Sequence, residues 1–297
     1  MPYNFTAKLL NMKRRNFVKT LGLGTAGIYA SNIFAGDKKS NKLALQLYTV
    51  RDAVAKDLAG TLEKLAAIGY NEIELYGYNG TFFGKSPAEF KTILKNAGIS
   101  VVSSHHVTGL GMKAKGSLTD GWEQAVEDLH AVGAKYMACS YLFPIERTKE
   151  NYAALPGLLT KCGETAAKAQ IEFAYHNHDF EFEKYEDTLV LDHIIKNTSP
   201  VNVNFELDLY WITKAGHDPI EYFNKYPGRF PLWHVKDMEA TTGDITEVGH
   251  GKIDFDKIFA ARKQAGLKKW FVEQDTSKQD IFESIKFSHD YLIKKNF

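Results

Sequence analysis

The chain has 297 residues, of which 44% are hydrophobic and 25% charged, with a formal net charge of +1. These are ordinary values for a globular protein, and they exclude an intrinsically disordered chain or a protein with many membrane spans. Residues 1–36 hold five basic and no acidic side chains, so the remainder has 32 Lys and Arg against 36 Asp and Glu. A mildly acidic body disfavours a nucleic-acid partner, because such proteins need a basic face.

The first 36 residues have the features of an export signal. A basic segment from Met12 to Lys19 (MKRRNFVK) precedes an apolar stretch, rich in Gly and Ala, from Leu21 to about Ala35. This order is typical of secretory signal peptides, and the paired arginines resemble a twin-arginine signal. We therefore expect a periplasmic protein, with a signal over residues 1–36 and one domain over residues 37–297. The apolar stretch is short for a membrane span, so we expect none in the mature form; an uncleaved anchor is the alternative.

From residue 42 onward, short β-rich segments alternate with helical patterns. Between the predicted strands, apolar residues recur at the helical period, as in Leu58, Leu62 and Leu65. Successive strands start roughly 28–38 residues apart, which is the length of a strand, a crossover helix and two loops. The predicted strands cover residues 43–50, 72–76, 100–105, 136–141, 171–176, 203–209, 231–236 and 269–273.

Glycines mark the ends of several predicted helices. Gly69, Gly98, Gly133 and Gly266 each stand shortly before a strand, where a helix end favours a left-handed residue. Eight parallel strands with eight helices predict an α/β fold, the (β/α)8 TIM barrel, because closure leaves no exposed sheet edge. An open doubly wound sheet is the alternative, but no Gly-x-Gly-x-x-Gly motif follows the first strand.

The two cysteines show no metal-binding spacing. Cys139 falls in a predicted strand and Cys162 in a predicted helix. Export would permit a disulfide, but their placement favours two buried free thiols.

Ionisable side chains follow the ends of the later strands, where a TIM barrel places its chemistry. Each alone has an ordinary explanation, such as a hydrogen-bonded core histidine or, for Asp275, a helix cap. Together they would bury several carboxylates, at a cost of several kcal/mol each without a cation. Mixed carboxylate and imidazole donors predict a divalent metal, Mn²⁺, Zn²⁺, Co²⁺ or Fe²⁺, with Mg²⁺ admitted by an oxygen-rich set. By strand, the residues are His105 and His106 (third), His176, His178 and Glu181 (fifth), Glu206 and Asp208 (sixth), His234 and Lys236 (seventh), and Glu273 (eighth).

These motifs resemble the xylose-isomerase-like barrel superfamily, in its sugar phosphate isomerase/epimerase branch. The resemblance spans residues 42–295. It rests on residues 45–51 (LQLYTVR), 175–182 (YHNHDFEF), 206–211 (ELDLYW), 234–237 (HVKD) and 248–254 (VGHGKID). It implies a metal held by a carboxylate after the fifth strand, by Asp208, by His234 and by Glu273.

The fifth strand departs from the family pattern. His176 stands where many epimerases of this fold have Glu, and the nearest carboxylate is Glu181, five residues on. The resemblance therefore implies Glu181 as the fourth ligand, with His176 and His178 lining the substrate site, or the reverse. In the epimerases the fifth- and eighth-strand Glu residues also transfer protons, so an imidazole here weighs against a plain two-base epimerisation.

The resulting prediction is a metal-dependent isomerase or epimerase that acts on a sugar or keto-sugar through an enediolate. A base among Glu273, His176 and His178 would take the proton beside the carbonyl. Lys236 would stabilise the oxyanion, or instead form a salt bridge with Asp237 or Glu206. The other predicted substrate contacts are Tyr48, Phe83, His105, His106, Trp211, Glu206 and His250.

The same enediolate admits other outcomes. Loss of a β-substituent would make the protein a lyase or hydratase acting on a keto-glycoside or keto-cyclitol, like inosose dehydratase. A non-catalytic sugar-binding protein is a further alternative, but it has no reason to gather metal-ligating carboxylates. The expected partner is a small carbohydrate. The sequence shows no contact face, so it does not decide between a monomer and a homodimer.

Overall fold

The computed structural model describes residues 43–297. In this part of the chain, eight parallel strands close into a barrel, in which each strand pairs with its neighbours in sequence and the last pairs with the first. This confirms the predicted (β/α)8 TIM barrel. The strands are β1 (Leu43–Gln46), β2 (Tyr70–Leu75), β3 (Ser100–Val107), β4 (Tyr136–Tyr141), β5 (Glu172–His176), β6 (Asn204–Asp208), β7 (Leu232–Val235) and β8 (Lys269–Val272).

Helices connect successive strands and surround the barrel. They are α1 (Arg51–Lys56), α2 (Leu58–Ile68), α3 (Pro87–Ala97), α4 (Trp122–Val132), α5 (Lys149–Lys168), α6 (Val190–Asn197), α7 (Leu209–Lys214), α8 (Pro219–Lys225), α9 (Phe255–Ala260), α10 (Arg262–Ala265) and α11 (Ile281–Lys295). Two predicted helix-ending glycines, Gly98 and Gly133, have φ angles of 70° and 92°. These left-handed angles confirm the reason for Gly at those ends.

The barrel interior changes from apolar to polar along the strands. A small buried cluster of side chains from six strands fills one layer: Ala44, Val102, Ala138, Ala174, Leu232 and Phe271. Because side chains alternate across a strand, the residue two positions later faces inward as well. Ala174 is followed in this way by His176, Leu232 by His234, and Phe271 by Glu273. The strand period therefore stacks a polar layer on an apolar one, towards the carboxyl ends of the strands.

The predictions for the cysteines, the export signal and a membrane span have different outcomes. Cys139 lies in β4 and Cys162 in α5, and both are buried free thiols, as predicted. The predicted export signal over residues 1–36 lies outside the described residues. From residue 43 onward, the structure contains no helix that is both long and apolar enough to cross a bilayer.

Candidate metal centre and substrate cavity

Three predicted ligands converge at the carboxyl ends of β6, β7 and β8. Asp208, His234 and Glu273 are buried, and their ligand atoms lie within 4.8 Å of one another. His234 Nδ1 is 2.7 Å from Glu273 Oε2 and 3.9 Å from Asp208 Oδ2. We call these three residues the outer set.

The two carboxylate oxygens of Asp208 have different roles. Its Oδ1 accepts hydrogen bonds of 2.9 Å from the backbone N–H groups of Tyr210 and Trp211, which starts α7. Its Oδ2 is buried and makes no hydrogen bond within the described structure. Burial raises the pKa of Asp208, although Lys236 opposes this shift. The helix cap thus fixes the carboxylate while one oxygen stays available to a cation.

The structure does not bring Glu181, one of the two candidates for the fifth-strand ligand, to the outer set. Glu181 lies in a short 3-10 turn after β5, and its carboxylate accepts hydrogen bonds of 2.7 Å from the Tyr175 hydroxyl and the His178 backbone N–H. Burial raises its pKa to about 8. The side chain from β5 that faces the outer set is His176, whose Nε2 is 3.8 Å from Asp208 Oδ2.

Lys236 places an ammonium group beside the outer set. Its Nζ is 2.7 Å from Glu273 Oε2, 2.7 Å from Asp275 Oδ2 and 3.2 Å from Asp208 Oδ2. Burial alone would lower the pKa of Lys236, but the three carboxylates raise it well above its usual value. The alternative of a salt bridge with Asp237 or Glu206 is wrong. Asp237 instead accepts backbone N–H groups of its own loop, including that of Gly249.

Two carboxylates lie deeper in the barrel and are fully buried, Glu74 on β2 and Glu206 on β6. Glu206 Oε2 is 2.7 Å from His105 Nε2, and Glu74 Oε2 is 2.7 Å from His234 Nε2. Burial raises the pKa of Glu206 to about 7. Sequence reasoning missed Glu74, although a Glu between the apolar Ile73 and Leu75 in a barrel strand signals an inward carboxylate.

A cavity of about 700 Å³ opens above these groups. Seven predicted site residues line it: Tyr48, His105, His106, His176, His178, Trp211 and Glu273. Further aromatic rings complete the wall, namely Tyr76, Tyr78, Tyr141, Phe143 and Phe180. Aromatic walls with a few convergent polar groups are typical of small-molecule sites.

Three predicted substrate contacts lie elsewhere. Phe83 is partly buried; it packs edge-on against Tyr76, with ring centroids 5.4 Å apart, and lies against the hydrophobic core. The ring of His250 lies on the Phe287 ring, at 3.7 Å between centroids. Glu206 is fully buried against His105, with Oε2 2.7 Å from His105 Nε2, and does not line the cavity. A loop position in the sequence does not say which way the ring turns.

Arg147 and Lys214, which sequence reasoning missed, line the cavity together with Tyr141. Arg147 donates a hydrogen bond of 2.8 Å to the Tyr141 hydroxyl, and its guanidinium lies 3.5 Å from the centre of the Phe180 ring. These residues come from the β4–α5 loop and from α7, which carry no motif that points to a site.

His178 is a partly buried histidine in the cavity wall. Its ring is flanked by Tyr141 at 4.8 Å and Trp211 at 5.2 Å between centroids, and its Nδ1 has no hydrogen-bond partner in the described region. Burial, followed by the charge of Lys236, lowers the pKa of His178 to about 3. The imidazole is therefore neutral at ordinary pH.

The outer set fits a divalent cation. Two carboxylates and an imidazole, with His176 beside them, form the mixed donor set that Zn²⁺, Mn²⁺, Co²⁺ and Fe²⁺ accept. Asp208 Oδ2 is buried without a hydrogen bond in the described residues, and its ion pair with Lys236 at 3.2 Å shows that this oxygen attracts positive charge.

A TIM barrel with carboxylates and imidazoles at the carboxyl ends of its strands has the architecture of an enzyme. The chain belongs to the xylose isomerase-like TIM barrel family, whose model matches residues 62–291. It is 25% identical over 260 residues to inosose dehydratase from Geobacillus thermodenitrificans, covering 75% of this chain and 87% of the relative. Inosose dehydratase from Bacillus cereus strain AH820 is 24% identical over 263 residues, or 76% of this chain and 88% of the relative.

Solved structures show the same fold. A sugar phosphate isomerase/epimerase from Parabacteroides distasonis has a TM-score of 0.75 and 28% identity, covering 89% of this chain and 98% of its own. The IOLI protein with a bound zinc atom has a TM-score of 0.67 and 18% identity, covering 86% of this chain and 99% of its own. At 18% identity, the likeness to the IOLI protein shows the fold alone.

Proposed function

We propose that this protein is a lyase that removes water or an alcohol from the carbon β to the carbonyl of a keto-sugar derivative. The observation that carries this proposal is the outer set, whose Glu273 lines an aromatic-walled cavity together with His176 and His178. The relatives named inosose dehydratase support elimination over isomerisation, because they match three quarters of the chain.

A divalent metal belongs to this proposal. Asp208, His234 and Glu273 would hold it, with His176 as the fourth donor in place of the family's glutamate. The IOLI protein, which has the same fold, binds a zinc atom, and this supports a metal in the proposal. When bound, the metal would supply Lewis-acid polarisation of the substrate carbonyl.

His178 is the proton-transfer group that the geometry favours among the three predicted bases. Glu273 is paired with His234 and Lys236. His176 lies within ion-pair distance of Glu206 and Asp208, whereas His178 lines the cavity and has no ion pair within the described residues. In the proposed reaction His178, which is neutral but a weak base at its lowered pKa, takes the proton from the carbon next to the carbonyl; Lewis-acid polarisation of that carbonyl would make the proton more acidic. The β carbon–oxygen bond then breaks with its electron pair on oxygen, and His178 returns the proton to that oxygen. The products are an unsaturated ketone and water or an alcohol.

The cavity supports a substrate larger than a single ring. Its volume of about 700 Å³ lies in the upper part of the range for drug-sized ligands, which leaves room for a keto-sugar with an attached group. A keto-glycoside therefore fits better than a bare keto-cyclitol. Trp211 and Tyr141 offer flat apolar faces on which such rings stack.

The first test compares the wild type with His178→Gln on keto-glycosides and keto-cyclitols, with products identified by mass. We expect the wild type to release water or aglycone, and the variant to lose about 100-fold or more in kcat with its metal content unchanged. Restoration of turnover by added imidazole would separate loss of the base from a change in shape. Full activity of His178→Gln would exclude His178 as the base.

An isomerase or epimerase is the second candidate, supported by the Parabacteroides distasonis structure. It makes a distinct prediction in the same assay, because its product has the mass of the substrate. A product of unchanged mass across the panel would favour this candidate and contradict the lyase.

We further propose that the protein is exported to the periplasm, on the evidence of the basic and apolar segments within residues 1–36. A keto-glycoside suits this compartment, because phosphorylated sugars are mainly cytoplasmic. Replacing Arg14 and Arg15 together by Lys should leave the protein in the cytoplasmic fraction of its host. Equal periplasmic recovery of the variant would contradict a twin-arginine route.

A further inference from the structure

Three imidazoles surround one oxygen of Glu206, below the outer set. Glu206 Oε2 is 2.7 Å from His105 Nε2, 3.2 Å from His176 Nδ1 and 3.4 Å from His234 Nε2. All four ligand atoms lie within 4.8 Å of one another. Around an ion with bonds of about 2.0–2.1 Å, tetrahedral neighbours lie about 3.3 Å apart, so these spacings are close to those of a coordination shell. We call His105, His176, Glu206 and His234 the inner set.

The inner set contains buried polar atoms without hydrogen bonds. Within the described residues, His176 Nδ1 and Glu206 Oε1 are buried and have no hydrogen-bond partner. The two residues are 2% and 0% exposed, respectively. Native structures leave few such atoms, because each loses its hydration without compensation. An ion between the imidazoles and Glu206 would satisfy the histidine nitrogen.

Charge also favours a cation at this depth. Glu74 adds a second buried carboxylate, with Oε2 3.2 Å from His105 Nε2. In the described part of the chain, the ion pairs of Glu74 and Glu206 are all with histidine. The outer carboxylates differ, because the ammonium group of Lys236 lies among them.

We propose that the inner set is a divalent cation site of its own, one layer deeper than the outer set. Three imidazoles and a carboxylate suit Zn²⁺, Co²⁺ or Fe²⁺. His176 and His234 each turn one ring nitrogen towards each set, so filling both sites requires both rings to release their protons. His105 lines the cavity and gives the ion a path of entry. This inference does not rest on the proposed lyase reaction.

The competing arrangement keeps a single ion. Carboxylates beyond a metal often accept the second N–H of its histidine ligands and so fix the orientation of the rings. Glu74 and Glu206 would then orient His234 and His176 towards an ion in the outer set alone. The two arrangements differ in the number of ions per chain.

The experiment counts ions on the whole protein. Metal-depleted protein is saturated with Zn²⁺, freed of excess by gel filtration and analysed by elemental mass spectrometry. We expect two ions per chain in the wild type, one in His105→Gln and one in Asp208→Asn. In Asp208→Asn the remaining Oδ1 can still cap α7, so the barrel should stay folded. His106→Gln is the matched control, because His106 is the next residue on β3 and belongs to neither set; it should keep two ions.

Glu206→Gln provides a second route if His105→Gln does not fold, as judged by circular dichroism and thermal unfolding. In Co²⁺-loaded protein, a variant that fills only the outer set should lose the absorption bands of the inner ion. Retention of every wild-type ion by both His105→Gln and Glu206→Gln would overturn the proposal. A single ion that is lost in His105→Gln but kept in Asp208→Asn would support the inner site and contradict the outer ligand set proposed for the lyase.

Discussion

At the scale of single residues, Lys236 has the greatest influence on the outer set. Its ammonium group is surrounded by Asp208, Glu273 and Asp275, and a divalent ion bound by the first two would lie close to this positive charge. The lysine therefore stabilises the metal-free protein and opposes metal binding.

Replacing Lys236 by Met should have opposite effects on stability and metal affinity. Without metal, the unpaired carboxylates should lower the free energy of unfolding by roughly 3 kcal/mol. Zn²⁺ should bind about tenfold or more tightly, because the nearby positive charge is gone. Urea unfolding with and without Zn²⁺, together with calorimetric titration, measures both effects. Weaker Zn²⁺ binding by Lys236→Met would show that the ammonium group does not compete with the ion.

Glu181 predicts a pH dependence of stability. Burial raises its pKa in the folded protein to about 8, from an ordinary value of 4.5. The unfolded chain therefore releases this proton first, and the contribution of Glu181 to stability falls as the pH rises from 4.5 to 8.

Glu181→Gln should remove this dependence, because the amide stays neutral at every pH and its oxygen can still accept from the His178 N–H, as Glu181 Oε2 does. We expect stability close to the wild type at low pH and a gain of roughly 1–3 kcal/mol at pH near 8. Urea unfolding between pH 4.5 and 8 measures the change in the free energy of unfolding. Glu183→Gln, at an exposed position, is a control that should follow the wild type. A loss of stability in Glu181→Gln at high pH would contradict a neutral buried carboxyl.

Residue identities could be predicted where the strand period decides them. The family resemblance implied Asp208, His234 and Glu273, and the strand period agrees by placing them at the carboxyl ends of three strands. The choice between His176 and Glu181 could not be predicted, because it depends on a 3-10 turn that points Glu181 at Tyr175 and the backbone.

At the scale of elements, strand positions were predicted well and one strand end was not. The prediction continues the first strand to residue 50, but β1 ends at Gln46 and a 3-10 helix covers Leu47–Val50. The Gln46 side chain accepts a hydrogen bond from the Tyr48 backbone N–H, which stabilises this turn. The alternating apolar pattern runs on through the turn, so periodicity alone does not show where the strand ends.

Helix α5 offers a matched pair of substitutions that tests its packing. A Cβ at Gly163 would lie 2.0 Å from the backbone oxygen of Asn202, whereas a Cβ at Gly157 would meet no atom within 4 Å. Gly163→Ala should therefore destabilise the protein by about 1–3 kcal/mol, since the backbone must move. Gly157→Ala should stabilise it by about 0.5–1 kcal/mol through helix propensity. Urea unfolding of both variants measures these changes. Equal changes in the free energy of unfolding would contradict the close approach of α5 to the chain before β6.

At the scale of the whole molecule, the closed barrel followed from the count and spacing of strand–helix units, because eight such units leave no sheet edge. The residues that form the cavity wall could not be predicted from these units. Arg147 reaches this wall from the β4–α5 loop, while Phe83 and His250 pack away from it. Loop conformation depends on contacts between units distant in sequence, and the repeating pattern carries no information on these contacts.

The central claim is that the site removes a β-substituent after taking a proton next to a carbonyl. The most direct measurement follows a keto-glycoside by NMR in D₂O with the Zn²⁺-loaded protein. We predict that release of the alcohol keeps pace with the appearance of an unsaturated ketone, in which the carbon next to the carbonyl has lost its hydrogen. A keto-glycoside that keeps its alcohol while that hydrogen is merely exchanged for deuterium, or is left untouched, would contradict the account.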